Sequence, residues 1–388
     1  MSPYRSITDP EPIQFLDAEG RFAPNAAAAE FAPELESLTE DDHRQFYRDM
    51  ALTRAFDTEC TNLQRQGQLA LWVPSVGQEA AQVGTGRAAA PEDHIFPAYR
   101  EHAIARLRGV SLLDVAKQFR GVSHGGWDPT DPKNGNFHLY TLVIGSQALH
   151  ATGHALGQLL DGTRAAGSTS LDPGQAAPPT GEATLVYFGD GATSQGDVSE
   201  AFVFATSYQT PQLFVVQNNR WAISVPVARQ TRTPLFRRAA GFGMPSVQID
   251  GNDVLASYAV GRRFLADARA GGGPAFIEAL TYRIGAHTTS DDPTRYREAE
   301  ELAAWQGRDP IERFERFLRA EGIGQDFFDA VAEEGRALAT ETREGILSLP
   351  EPDQPSMFRH VYAEEHPRMV EQQAWLDRYE SSFEEDAS

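Results

Sequence analysis

Asp190 and Asn219 are the residues whose setting most directly suggests chemistry in this chain of 388 residues. Asp190 stands in Gly189-Asp190-Gly191 at the end of the apolar run 185–188, and Asn219 closes Asn218-Asn219 just beyond a second apolar run, 213–216. Between them Val198, Ala201, Phe202 and Ala205 recur at the spacing that lines one helical face, with Ser194 or Asp197 placed to cap the helix and Pro211 to end it. The unit therefore reads as strand, helix, strand with a parallel crossover. A right-handed crossover puts both carboxyl ends on one edge of the sheet, where open α/β sheets bind ligands. Neighbouring strands lie about 4.8 Å apart, so one carboxylate oxygen and one amide oxygen can reach the same small cation. Mg²⁺ suits that offer, being a hard ion that takes one or two carboxylates and completes its octahedron with phosphate oxygens. Gly189 and Gly191 lack Cβ atoms and let the backbone turn and approach a diphosphate, whose charge the next helix N-terminus favours.

An ordinary Asp-Gly turn is the plain alternative. The acidic positions after Asp190 do not match a calcium-binding EF-hand loop, no Gly-Lys-Ser/Thr marks a nucleotide P-loop, and no Gly-x-Gly-x-x-Gly stands at this strand end. The 26 residues between Gly191 and Asn218 instead give an interval that resembles the metal and diphosphate motif of thiamine diphosphate enzymes. Two further groups have candidate roles. Arg100, in Tyr99-Arg100-Glu101-His102, is a surface arginine or a bidentate phosphate ligand. His287 follows the apolar run 274–284 and is either a loop histidine or, standing at the edge that holds Asp190, a group that bonds phosphate or transfers a proton.

The elements that position these residues follow from the pattern of apolar runs. Thr39 caps a helix that runs to about Gln66 and stops at Gly67, and its face Leu52, Ala55, Phe56, Cys60, Leu63 makes the single cysteine a buried apolar residue. A helix starts at 77–79 and ends before Pro91, and another begins at Tyr99. The polar stretch 121–138 is a long loop of the kind that carries function, leading through Asn136, Phe137, His138 and Tyr140 to the apolar run 142–144 and a small-residue helix. Residues 161–182, rich in Gly, Pro, Ala and Ser, read as a mobile insert. Strands are expected at 246–249 and 274–284, with an amphipathic helix over 254–270 between them. The fold class is α/β, a mostly parallel sheet flanked by helices, with an N-terminal arm over 1–38, a ligand-binding domain over 39–345 and a helical tail over 346–388.

Composition narrows the partners. A net charge of −21, from 55 acidic against 34 basic residues, speaks against nucleic acid or an anionic membrane. The lone Cys60 leaves no internal disulfide, which suits a reducing cytoplasm. No apolar run reaches 18 residues, and the first residues have neither the apolar core of a secretory signal nor the basic character of a mitochondrial presequence.

Together these motifs resemble the alpha subunit of the thiamine diphosphate-dependent decarboxylating component of 2-oxo acid dehydrogenase complexes, nearest the branched-chain type. The matching stretches are QRQG at 64–67, Tyr99-Arg100, the central unit, AIS at 222–224, DGND at 250–253 and TYRIGAHTTSDD at 281–292. The resemblance implies that Asp190, Asn219 and the main-chain oxygen of Trp221 hold magnesium. It implies further that Tyr99, Arg100, Gly189, Gly191, Ala192, Ala222 and His287 contact thiamine diphosphate, with His287 catalytic. Ser146 and Ala148 match the segment flanking the thiazolium, and Leu71, Tyr99, His138 and Ser146 match substrate-pocket positions. It implies oxidative decarboxylation of a small 2-oxo acid, an α₂β₂ assembly with a beta subunit, and acyl transfer to the lipoyl arm of an acyltransferase component. His150 and Ala151 replace the polar potassium site of some relatives, so no potassium is expected. A pyruvate or acetoin dehydrogenase alpha subunit, or a non-catalytic scaffold subunit, are the alternatives.

Overall fold

The computed structural model describes residues 11–121, 126–165, 177–350, 355–359 and 361–385. Its strands are β1 (His94–Phe96), β2 (Thr184–Gly189), β3 (Gln212–Asn218), β4 (Trp221–Ala222), β5 (Val225–Pro226), β6 (Ser246–Asp250) and β7 (Ala275–Leu280). Five of them form a parallel sheet in the order β1-β2-β3-β7-β6, and β4 and β5 make a small antiparallel hairpin. The helices of the N-terminal half are α1 (Glu40–Arg65), α2 (Glu79–Ala88), α3 (His102–Leu107), α4 (Leu112–Arg120), α5 (Ser146–Ala165) and α6 (Gly196–Tyr208). Those that follow are α7 (Val227–Gln230), α8 (Leu235–Ala240), α9 (Val254–Arg269), α10 (Ala299–Gln306), α11 (Pro310–Ala320), α12 (Gln325–Leu347), α13 (Ser356–Arg359) and α14 (Pro367–Glu385).

Both faces of the sheet are covered, which is why β2 and β3 are apolar along their middles rather than alternating. Leu185 and Tyr187 point into a core with Phe56, Trp72, Leu255 and Ile277, while Val186 and Phe188 point the other way onto Ala148, Ala201, Phe202 and Phe214. Cys60 is fully buried in the first of these cores. Thr39 caps α1 as expected, with Asp42 returning the bond to the Thr39 amide at 2.8 Å.

The crossover from β2 to β3 is present, but its helix starts differently. Residues Asp190–Ser194 form a 3-10 turn, Thr193 Oγ1 donating to the Asp190 carbonyl at 2.7 Å, and α6 begins only at Gly196 behind Gln195. Neither Ser194 nor Asp197 caps it, because the turn consumes the residues before the helix. The chain over 13–38 lies on the domain: Phe15 and Leu16 are buried, and their amides both donate to Asp253 Oδ2 at 2.7 Å. Residues 1–10 of the expected arm lie outside the described residues. So do residues 166–176 of the expected insert. Its first part belongs to α5, and Thr180 N donates to Arg269 O at 3.0 Å at the end of α9. No helix among the described residues is long and apolar enough to cross a membrane.

Candidate active site

The register that pairs Gly189 with Gln217 brings the carboxyl ends of β2 and β3 level, so Asp190 and Asn219 reach the same edge. Both line a cavity of about 610 Å³ there, together with Gln78, Tyr99, Arg100, Trp221 and His287. Leu71, Val73, Phe119, Leu142 and Ile144 supply an apolar wall to the same space. One cavity therefore offers oxygen ligands, a buried cation and an apolar end.

Asp190 is 1% exposed, and burial pushes its carboxyl up to about 6, with a bond from Gln230 acting against that rise. Gln230 Nε2 donates to Asp190 Oδ2 at 2.7 Å. The Asn219 amide is oriented from both ends: Nδ2 donates to Gln78 Oε1 at 3.2 Å, and Oδ1 accepts from Trp221 N at 3.3 Å. The two glycines have different uses. A Cβ on Gly191 would come within 2.8 Å of Ala222 Cβ, so the turn after β2 can pack against β4 only without a side chain, whereas a Cβ on Gly189 would meet nothing within 4 Å.

Two guanidinium groups are buried beside these oxygens. Arg100 donates to the carbonyls of Pro74 and His287, the latter at 3.0 Å, and burial lowers its pKa. Arg283 donates to Trp221 O at 3.1 Å, Ile223 O at 2.8 Å and Tyr296 Oη at 2.8 Å, and burial lowers its pKa to about 10. The acceptors bonded directly are neutral, and the carboxylates that act on these charges, Glu101 and Asp57 on Arg100 and Asp291 on Arg283, only partly offset the effect of burial. His287 Nδ1 lies 3.4 Å from a nitrogen of each arginine. Facing two donors, Nδ1 is the acceptor and the ring proton sits on Nε2. Burial first, then both arginines, hold the imidazole at about 3, so it is neutral near pH 7 and acts there as an N–H donor.

A family model described as the dehydrogenase E1 component matches residues 47–344. The chain is 42% identical over 371 residues to the 3-methyl-2-oxobutanoate dehydrogenase subunit alpha of Mycobacterium tuberculosis, covering 95% of this chain and 94% of that one. It is 36% identical to a pyruvate dehydrogenase E1 component subunit alpha of Staphylococcus epidermidis, over 81% of this chain and 78% of that one. A pyruvate dehydrogenase E1 component subunit alpha of Acholeplasma laidlawii is 35% identical, over 86% and 92%. The chain belongs to the dehydrogenase E1 component family.

In this E1 chain most of the expected site residues converge. Leu71, Tyr99, Arg100, Gly189, Asp190, Gly191, Ala192, Asn219, Trp221, Ala222 and His287 all line the cavity. Ser146, Ala148 and His138 do not. Ser146 opens α5 and its hydroxyl turns back to Val143 O at 2.9 Å. Ala148 is fully buried against the sheet, so Gln147 is the residue of that turn that faces the cavity. His138 is placed by a bond from its amide to Ile95 O at 2.8 Å, beside β1. His94 of that strand is level with Thr184, five residues before Gly189 and about 16 Å back along β2.

Four contributors were not singled out from the sequence: Gln78, Gln147, Gln230 and Arg283. The signal for Arg283 was an arginine inside the otherwise apolar Tyr282-Arg283-Ile284, where a buried cation demands a reason. The loop after His287 is held by the protein itself. Asp291 Oδ2 accepts from His287 N at 2.9 Å and from Tyr296 Oη at 2.5 Å, and Arg297 donates to the carbonyls of Arg283 and Ile284. The His287 amide and the Tyr296 hydroxyl are thus the partners of Asp291.

Proposed function

We propose that this chain is the alpha subunit of a branched-chain 2-oxo acid dehydrogenase E1, using thiamine diphosphate and Mg²⁺ to decarboxylate the substrate and passing the acyl group to a lipoyl arm. The observation that carries this reading is the meeting of Asp190 and Asn219 with the buried charge of Arg100 in one cavity, with Arg283 behind its wall bonded to Trp221 O and beside His287. Its donor chemistry fits the cofactor: a carboxylate, an amide oxygen and a main-chain oxygen suit Mg²⁺, and the buried guanidinium of Arg100 in the cavity wall suits a diphosphate. Gln78 Nε2 and Gln147 Oε1 in the cavity wall are buried without a protein partner among the described residues, so each has a bond to offer.

Asp190, Asn219 and the Trp221 carbonyl would hold the metal, and Tyr99, Arg100, Gly189, Gly191, Ala192, Ala222 and His287 would line the cofactor's diphosphate side. When bound, thiamine diphosphate supplies the electron sink for the bond broken as carbon dioxide leaves. Within the chain, His287 Nε2–H is free to donate to an anionic oxygen, because Nδ1 is occupied by the arginines. Leu71, Val73 and Phe119 exclude water from the end that would take a branched aliphatic chain. The acyl group leaves as a thioester while the lipoyl disulfide accepts two electrons and opens to a free thiol.

Exposed apolar residues beside the cavity support a beta subunit as partner. Leu142 is 70% and Val143 73% exposed in the loop that borders the cavity, and Phe204 of α6 is also exposed. Exposed apolar residues of this kind suit a protein partner in an α₂β₂ assembly, and the lone free Cys60 suits a reducing cytoplasm. The experiment is a substrate panel on the chain co-purified with its beta chain, with lipoyl acceptor, thiamine diphosphate and Mg²⁺. We expect 3-methyl-2-oxobutanoate to be turned over at least ten-fold more efficiently than pyruvate, and the isolated chain to be inactive. Preference for pyruvate would replace the branched-chain assignment, and activity of the isolated chain would overturn the two-chain site.

A further inference from the structure

Three histidines meet well away from the cavity, beside the first residues of β1 and β2. His94 opens β1, His138 follows the polar loop, and His154 lies in α5. His94 Nδ1 and His138 Nε2 are 3.2 Å apart, and one ring nitrogen from each of the three lies within 4.8 Å of the others. The rings are braced from behind. His138 stacks on Phe96 with centroids 3.8 Å apart and planes 14° apart. His154 Nδ1 is 3.1 Å from Thr184 Oγ1, and that hydroxyl lies 2.7 Å from Gln158 Oε1.

Thr184 gives its proton to the Gln158 carbonyl, so it accepts from His154 Nδ1–H, and the lone pair of His154 is on Nε2. A second nitrogen donating to an oxygen is the support that fixes the tautomer of metal-bound imidazole. Burial first, then the neighbouring imidazoles, hold His138 and His154 at about 4, and burial with Arg108 lowers His94, so near neutral pH all three rings are uncharged. A hydrogen bond between two neutral imidazoles would account for His94 and His138 alone. It does not account for the third ring converging on them with its tautomer fixed by Thr184 and Gln158.

We propose that His94, His138 and His154 form a binding site for a divalent transition metal, zinc foremost, that is separate from the catalytic cavity. Nitrogen ligands favour zinc, cobalt, nickel or copper over Mg²⁺. Two nitrogens at about 2.05 Å from a tetrahedral zinc are about 3.3 Å apart, close to the 3.2 Å between His94 and His138, and small side-chain rotations bring in the third. The metal would tie the loop that ends at His138 to β1 and α5, leaving a fourth position for water.

The test uses the full chain assembled with its partner subunit, saturated with Mg²⁺ and thiamine diphosphate so that the oxygen site is filled. Zinc uptake is measured by equilibrium dialysis, and cobalt(II) is added in parallel for its visible spectrum. One zinc per chain and a four-coordinate cobalt spectrum are expected. Uptake should weaken at least 100-fold in His138→Gln and His154→Gln. Thr184→Val keeps the buried shape of its residue and removes only the oxygen behind His154, and it should weaken binding 10- to 100-fold. No uptake above the Mg²⁺-saturated background, or equal uptake by the wild type and all three variants, would overturn the site.

Discussion

Asp190 and Asp253 are both buried aspartates, each in a turn that follows a strand of the same parallel sheet, and the chain treats them in opposite ways. Asp253 is saturated. Its Oδ1 caps α9 by accepting from Leu255 N at 3.0 Å and Ala256 N at 3.3 Å, while Oδ2 accepts from Phe15 N and Leu16 N at 2.7 Å each. Among the described residues Asp190 accepts one side-chain bond, from the Gln230 amide at 2.7 Å, and it borders a cavity. A carboxylate that serves folding is enclosed by main-chain donors from segments it must join, here the N-terminal chain and α9. One that serves a ligand is left short of partners, at a cost in stability that a cation would offset.

Substituting the two residues should separate these roles. Asp253→Ala leaves four buried amides without an acceptor and should cost on the order of 3 kcal/mol or more, seen as a lowered Tm and release of residues 13–38 to protease. Asp190→Ala should leave the melting of the cofactor-free chain unchanged or raised, and weaken Mg²⁺-dependent thiamine diphosphate binding at least 100-fold by calorimetry. The contrast collapses if Asp190→Ala unfolds the chain while Asp253→Ala is tolerated.

The pH dependence sharpens the same contrast. Burial raises Asp190 from 3.8 to about 6 in the folded, cation-free chain. A raised folded pKa means that its contribution to stability is full below about 3.8 and lost as pH rises through about 6, a loss of about 3 kcal/mol. Mg²⁺ with diphosphate binds the ionised carboxylate, so the ligand-induced rise in Tm should grow between pH 4 and pH 6 and level off above. Asp190→Asn should flatten that curve. A wild-type curve already flat over this range would mean that the carboxylate does not face the ion.

His287 lies in a polar loop rather than a core, and its loss should fall on turnover. His287→Ala is expected to lower kcat about 100-fold while moving Tm by no more than a degree or two. In the cofactor-free chain an NMR titration of its ring should show no protonation near 6.5, since burial and the two arginines hold it at about 3. A ring that titrates near 6.5 would show that Arg100 and Arg283 do not face it.

The sheet was legible in the sequence because strands buried on both faces leave uninterrupted apolar runs, and Asp190 and Asn219 were legible because such runs end at them. What was lost was lost for geometric reasons. At Ser146 to Ala148 the choice of inward residue depends on the phase of α5, and a shift of one position exchanges Gln147 for Ala148. His138 is near the site along the chain but lies far back along β2, a separation set by register rather than by spacing. Gln78 and Gln230 reach Asn219 and Asp190 from 141 and 40 residues away, so only the folded topology reveals them. The cap of α6 went astray because a 3-10 turn over 190–194 competes with helix in the same residues.

The smallest expected effect concerns Ile223, at the turn between β4 and β5. Its φ is 54°, a left-handed conformation that a β-branched residue adopts at a cost of about 1 to 2 kcal/mol. Little packing repays that cost, since the side chain is 54% exposed. The main chain carries the reason: Ile223 O accepts from Arg283 Nη2 at 2.8 Å, so the turn holds a carbonyl on the cation that also bonds Trp221 O. Asparagine tolerates this conformation and keeps that carbonyl. Ile223→Asn should therefore stabilise the cofactor-free chain by about 0.5 to 1 kcal/mol, read as a slightly raised Tm, with cofactor affinity little changed. Because Ile223 also lines the cavity, the same variant should raise KM for an apolar substrate more than it lowers kcat. A destabilised variant would mean that the isoleucine side chain, and not the turn it strains, is what the site retains.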